Sequence, residues 1–221
     1  MEAGVRELIE EHVVASLLKQ ERLHATLGGR HRFSMDLEEG WFEAGSLRVA
    51  ADVVGTQSLV TGTFVWGWAN PSTPDAPAAE AVRQIGAERG IDTLTSDDEL
   101  PEQTMHAGAA ALIASGVAGL DGYYLARTPE RALAFGLRSS ELRRRPIPVA
   151  QLPSALLEAA SVLEFSARRT FAHYLARPLP EVPAAIEAGR AVLRGADGAV
   201  SVSFDRDGRL GEIRADLPGS A

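Results

Sequence analysis

The segment Gly62-Thr63-Phe64-Val65-Trp66-Gly67-Trp68-Ala69-Asn70-Pro71-Ser72 constrains the fold more than any other stretch of this chain. It holds two of the three tryptophans and ends at an Asn-Pro step. Proline cannot donate to a sheet ladder and biases the residue before it toward extended backbone, so a strand entering here must stop near Asn70. Read as a strand from Gln57 to Ala69, the even positions Val60, Phe64, Trp66 and Trp68 share one face. The odd positions Thr61, Thr63, Val65, Gly67 and Ala69 are small and admit a close neighbour. Aromatic side chains of this size bury roughly 150–250 Å² each, so the even face is expected to organise the core.

The preceding residues supply that strand with partners. Residues 4–27 read as an amphipathic helix, with Val5, Leu8, Ile9, His12, Val13, Leu17 and Leu23 at helical spacing. Glu7, Glu10, Glu11, Lys19 and Arg22 are expected to face water, and Gly28-Gly29 to stop the helix. His31 to Leu37 then alternates apolar and polar residues, as a half-buried strand does. Turns at Glu38-Glu39-Gly40, Ala44-Gly45-Ser46 and Gly55-Thr56 separate it from Trp41 to Glu43, from Leu47 to Val53, and from the tryptophan strand. Connections this short demand antiparallel neighbours, which predicts a four-stranded meander.

Beyond a Pro/Ser/Ala-rich loop at Pro71 to Pro77, a helix is predicted from Ala78 to Arg89, closed by Gly90. Ser96 and Glu99 have capping-box spacing, and Pro101 suits a first helical turn, so a second helix is read from Pro101 to Ser115. Asp121 to Arg127 and Arg131 to Leu137 read as strands, Glu141 to Pro148 as a proline-stiffened linker, and Leu152 to Leu175 as one long helix. After the Pro-rich joint 178–183, a strand at Ala191 to Arg194 precedes a hairpin turning at Asp207-Gly208. The fold class is therefore α+β: a curved antiparallel meander wrapped by helices, completed by a C-terminal helix and β-hairpin. Residues 1–221 are read as one compact domain, divisible into sub-units 1–140 and 146–221. A helix laid across a curved antiparallel sheet is, by analogy, cystatin-like or nuclear-transport-factor-like.

Composition narrows the chemistry. The chain has no cysteine, which removes disulfides, thiolate nucleophiles and Cys-ligated zinc. Thirty acids against 22 bases leave a formal charge of −8, which argues against nonspecific nucleic-acid binding. No apolar run approaches the ~20 residues of a membrane span, and the N-terminal residues lack the basic start and apolar core of a secretory leader, so a cytoplasmic protein without a membrane partner is expected. Of the 22 bases only Lys19 is lysine. His12, His24, His31, His106 and His173 lack zinc-protease spacing, and acids Asp97, Asp98, Glu99 and Glu102 before His106 read as helix-dipole partners. No metal, no cofactor and no catalytic residue is nominated, since neither a phosphate-cradling glycine loop nor a nucleophile elbow is present.

Two clusters remain as candidates for binding. Trp66, Trp68 and Asn70 fit either core packing with a turn cap, or a ligand pocket with an aromatic wall and one placed polar group. Tyr123 or Tyr124 joins that pocket, only one of the two because they alternate on a strand. Arg143, Arg144 and Arg145, with Arg138, Arg168 and Arg169 near in sequence or in space, fit a solvated linker or a contact for an anion or acidic partner.

The run Trp66-Gly67-Trp68-Ala69-Asn70-Pro71-Ser72 resembles the Trp-x-Trp-Ala-Asn-Pro-Ser signature of an uncharacterised family of bacterial proteins. There the motif closes a strand and is followed by a helix carrying an arginine, which Arg83 matches here. The resemblance extends from the first helix to Tyr123-Tyr124. It implies a shared fold and supplies no catalytic residues, because the family has no established activity. The expected role is a non-catalytic binding or interaction protein with an unknown partner. The alternative is a small-molecule-binding protein or enzyme with an aromatic pocket.

Overall fold

The computed structural model describes residues 1–28, 32–73 and 75–217. Gly29, His31 and Pro74, expected at a helix stop, a strand start and within a loop, lie outside the described residues.

The long helix α1 (Ala3–Leu27) forms where the periodicity places it, and the Gly28 N–H closes it on the His24 carbonyl. It is buried on more than its apolar stripe. Glu10 and Arg22, expected in water, are 1% and 2% exposed. The correction has a simple cause: a second layer of the protein covers the face that the charge pattern assigned to solvent.

Four strands follow as an antiparallel meander: β1 (Phe33–Asp36), β2 (Trp41–Ala44), β3 (Leu47–Ser58) and β4 (Thr63–Trp66). The last turn, however, lies at residues 59–62 rather than at Gly55-Thr56. Gly55 sits inside β3 because a Cβ there would lie 2.4 Å from the Phe64 ring, so the missing side chain makes room for an aromatic on the neighbouring strand. Val60 consequently leaves the aromatic face and stands in the turn, 75% exposed. The fourth strand is also shorter than predicted, for Gly67–Ala69 is a 3₁₀ turn. On this edge of β3, β4 pairs with Gly55–Ser58 while β2 pairs with Leu47–Ala50, and the chain leaves the sheet before reaching β2.

Helix α2 (Pro77–Arg89) ends on left-handed Gly90, as read. Pro101 belongs not to a helix but to the two-residue strand β5 (Leu100–Pro101), which pairs with β4. Helix α3 (Ala107–Val117) starts six residues later than predicted, capped by His106, whose Nδ1 accepts the Ala109 N–H. Ser96 caps only a local turn through the Asp98 N–H. Strands β6 (Gly122–Arg127) and β7 (Arg131–Arg138) pair with each other, and β7 pairs with the free edge of β3. The result is a seven-stranded antiparallel sheet. It curls strongly: Phe33 on the β1 margin and Tyr124 on the β6 margin bring their rings within 5.1 Å, with Phe42 against both.

The remainder departs most from the sequence reading. The supposed linker contains α4 (Ser140–Arg144), capped by the Ser139 hydroxyl. The single long helix is two, α5 (Leu152–Val162) and α6 (Ala167–Ala176). Between them Leu163 is extended, Ser166 caps α6, and the Ser166 N–H is taken by Glu10 Oε1 of α1 at 2.8 Å. A continuous helix would forfeit that bond. Four strands then form a second antiparallel sheet in the order β11-β10-β9-β8: β8 (Ala184–Glu187), β9 (Arg190–Gly195), β10 (Gly198–Phe204) and β11 (Leu210–Asp216). The Asp207-Gly208 turn falls where predicted, with Gly208 at φ +79°; β8 is the unforeseen strand.

One buried cluster runs from Trp66 and Ile113 through Leu8, Ile9 and Leu18 of α1 to Leu156, Phe171, Leu193 and Val202. Helix α1 is thus the layer common to both sheets. A smaller cluster around Phe42, Val53, Phe135 and Leu137 fills the other region of the first sheet. The fold is α+β, with six α-helices and two open antiparallel sheets among the described residues. No helix among them is long and apolar enough to cross a membrane.

Candidate functional site

The tryptophan segment divides between core and surface. Trp66 is fully buried, meets Phe64 edge-on at 5.0 Å, and donates its indole N–H to the Thr93 carbonyl at 3.0 Å. Trp68, displaced from the sheet by the 3₁₀ turn, stacks on Trp66 at 4.8 Å with 12° between the planes. The two indoles therefore lie on the same side, but only Trp68 reaches toward the surface. Its indole N–H is shielded from solvent and has no hydrogen-bond partner. Between them Gly67 must stay small, since a Cβ would stand 2.9 Å from the Val53 carbonyl and 3.0 Å from Ala76.

Asn70 builds the turn that follows: its Oδ1 accepts the Ser72 N–H at 3.0 Å and its carbonyl accepts the Thr73 N–H at 2.9 Å. The same short segment forms a wall between two open grooves. One, of about 380 Å³, is lined by Ala69, Asn70 and Pro71 together with hydroxyls of Thr56 and Thr63, the carboxylates of Asp97 and Glu99, and Arg131. The other, of about 560 Å³, has Gly67 and Trp68 facing Asp75, Pro77 and Glu80 at the start of α2. Arg83 bridges the two regions: its guanidinium is 5.8 Å from the Trp68 ring centroid, 3.8 Å from Glu80 and 3.4 Å from Asp97. Trp66 lines neither groove.

The two tyrosines go to different clusters, as alternation requires. Tyr123 joins the main core, where burial, with Glu158 and Glu21 nearby, pushes its hydroxyl up to about 12. Tyr124 packs with Phe33 and Phe42, and burial raises its pKa as well. Neither lines the grooves beside Trp68.

The three consecutive arginines do not converge. Arg143 grips Asp121 through Nε at 2.9 Å and Nη2 at 3.1 Å, Arg144 bonds the Ser140 carbonyl of its own helix, and Arg145 pairs with Glu141. Burial alone would raise the Asp121 carboxyl, but Arg143 and the Ser139 N–H hold it below the ordinary value. Beside this pair lie groups that sequence reasoning left in solvent. Arg22 bonds Glu181 at 3.2 Å and the carbonyls of Arg143 and Asp121. Lys19 donates to the Ser115 carbonyl at the end of α3, and burial pulls its ammonium down to about 8. The one available signal was that a chain with 21 arginines keeps a single lysine.

His106 serves as a helix cap, and no group of three or more His, Asp or Glu side chains among the described residues could hold a metal ion. The convergence of Asp97 and Glu99 on Asn70 was also missed. It depends on β5 pairing with β4, which local spacing does not reveal.

The chain belongs to DUF6882, a family of unknown function whose profile matches residues 6–139. The matched part runs from α1 through β7 and stops at the start of α4. No curated protein and no solved structure matches the chain.

Proposed function

We propose that this chain is a non-catalytic binding protein of the bacterial cytoplasm, acting as one domain, whose recognition surface is the pair of grooves flanking Trp68. The observation that carries the reading is the division of labour inside one short motif. Trp66 is spent on the core, whereas Trp68, Ala69, Asn70 and Pro71 line open grooves. The acidic character of those walls and the net charge of −8 also favour a protein partner over nucleic acid.

The test is partner recovery from native extracts with wild type, Asn70→Ala, Glu99→Ala and Arg144→Ala. A partner retained by wild type and Arg144→Ala but lost by both groove variants supports the reading; recovery indifferent to Asn70 and Glu99 sinks it. A second reading, a small-molecule site at Asn70, draws on the groove's volume of about 380 Å³, within the roughly 300–1,000 Å³ of ordinary ligand sites. A metabolite that raises the unfolding temperature of wild type, with the logarithmic dependence expected of a native-state ligand, and fails on Asn70→Ala would favour it.

A further inference from the structure

We propose that an extended polypeptide segment crosses the wall between the two grooves and places arginine side chains in them, an inference that rests on the recognition surface just described. Three observations converge on this chemistry.

The first is charge. Asp75 and Glu80 line one groove, Asp97 and Glu99 the other, and Arg131 is the lone cation among the described lining residues. Arg83 already pairs with Glu80 and Asp97, so Asp75 and Glu99 carry the charge that would attract a basic segment and repel an acidic one.

The second is a recognition geometry that the chain already displays on itself. The Arg83 guanidinium sits over the Trp68 face with a carboxylate on either side, Glu80 and Asp97. An aromatic face backed by carboxylates is the environment in which a guanidinium is held both by ring electrostatics and by charge. Arg83 lies at the boundary between the grooves and Trp66 covers the other face of Trp68, so an incoming arginine would take this position by exchange with Arg83.

The third separates a polypeptide from a free polyamine. The Trp68 indole N–H lacks an acceptor, while its neighbour Trp66 has one in the Thr93 carbonyl. The N–H lies beneath the surface, so a backbone carbonyl reaches it only when the occupant turns the Trp68 ring outward, and it then supplies the acceptor that this donor lacks. A polyamine has donors and charge but no acceptor, so it leaves that group unsatisfied.

Fluorescence anisotropy tests this with three labelled peptides of equal length, alternating glycine with arginine, with glutamate or with serine, and with spermidine as competitor. The arginine peptide is expected to bind wild type, more weakly as salt rises. Glu99→Gln and Asp75→Asn, both surface changes, should each weaken it about two- to fivefold. Trp68→Phe keeps a ring and removes the N–H, and should weaken it about two- to tenfold. Arg144→Ala should bind as wild type does. Binding of the serine or glutamate peptide that is as tight, and still sensitive to Glu99 and Trp68, overturns the charge assignment and leaves the recognition surface standing. Displacement by spermidine with the same Trp68→Phe sensitivity overturns the polypeptide assignment. No binding by any probe overturns the inference, while the extract experiment separately decides the fate of the surface itself.

Discussion

Residues 1–139 carry 20 acids and 11 bases, whereas residues 140–221 carry 10 and 11, so the part that includes the family match has a net charge of −9 and the rest +1. The two parts also fill their interiors differently. All three tryptophans lie in the first, and its sheet is anchored by Phe42, Phe64, Trp66 and Phe135, each essentially unexposed. The second holds its four-stranded sheet with smaller groups such as Leu193, Val200 and Val202. Where they meet, charge crosses in both directions: Arg6 to Glu164, Glu10 to Arg169, Arg22 to Glu181, and Asp121 to Arg143. Arg6 and Glu164 are both exposed, so their pair adds little; in each of the other three one partner is buried, and removing its counterpart is costly. The lesson is that apolar contact along α1 holds the parts together, while the ion pairs dictate how they sit.

Trp66→Ala should have the largest effect, a loss of about 3–5 kcal/mol in unfolding free energy, read from the denaturant midpoint at constant slope. Indole fluorescence and a label in the second sheet should still report one transition. Two separate transitions in wild type would break the comparison in favour of independent units. Glu10→Ala comes next, at about 1–3 kcal/mol, because it strands the Ser166 N–H and frees Arg169. An unchanged midpoint would mean the ion pair does not set the seating.

A smaller effect sharpens the picture through pH. The Asp121 carboxyl is depressed in the folded state, so its contribution is present above its ordinary value of 3.8 and is lost as pH falls further through the folded value. The stability gap between wild type and Asp121→Asn should therefore close in that acid window, and a gap constant down to the acid limit would contradict the pairing. Lys19 runs the other way. Its folded pKa is lowered, so the unfolded chain binds more protons between about pH 8 and 10.5, and stability should rise across that range in wild type but not in Lys19→Met. Equal alkaline profiles would remove the buried ammonium.

Much of this was readable in the residues, and the failures share a cause. The Asp207-Gly208 hairpin, the Gly90 stop and the alternation of β3 are local signals with local partners. Gly55 misled because its reason is the ring of Phe64 across the ladder, not a turn of its own. The break between α5 and α6 is held by a carboxylate 156 residues away in sequence. The candidate site was half legible for the same reason: Trp68 and Asn70 announce themselves in a motif, whereas Asp97 and Glu99 join them only once β5 has paired.

The near-parallel stack of Trp66 and Trp68 has an optical consequence. Indoles held face to face at 4.8 Å couple their electronic transitions, and a skew between those transitions adds a pair of circular-dichroism bands of opposite sign. The coupling weakens steeply as the rings part, so the amplitude of such a signal follows the seating of Trp68 in solution and would register, without any label, an occupant that shifts the outer ring.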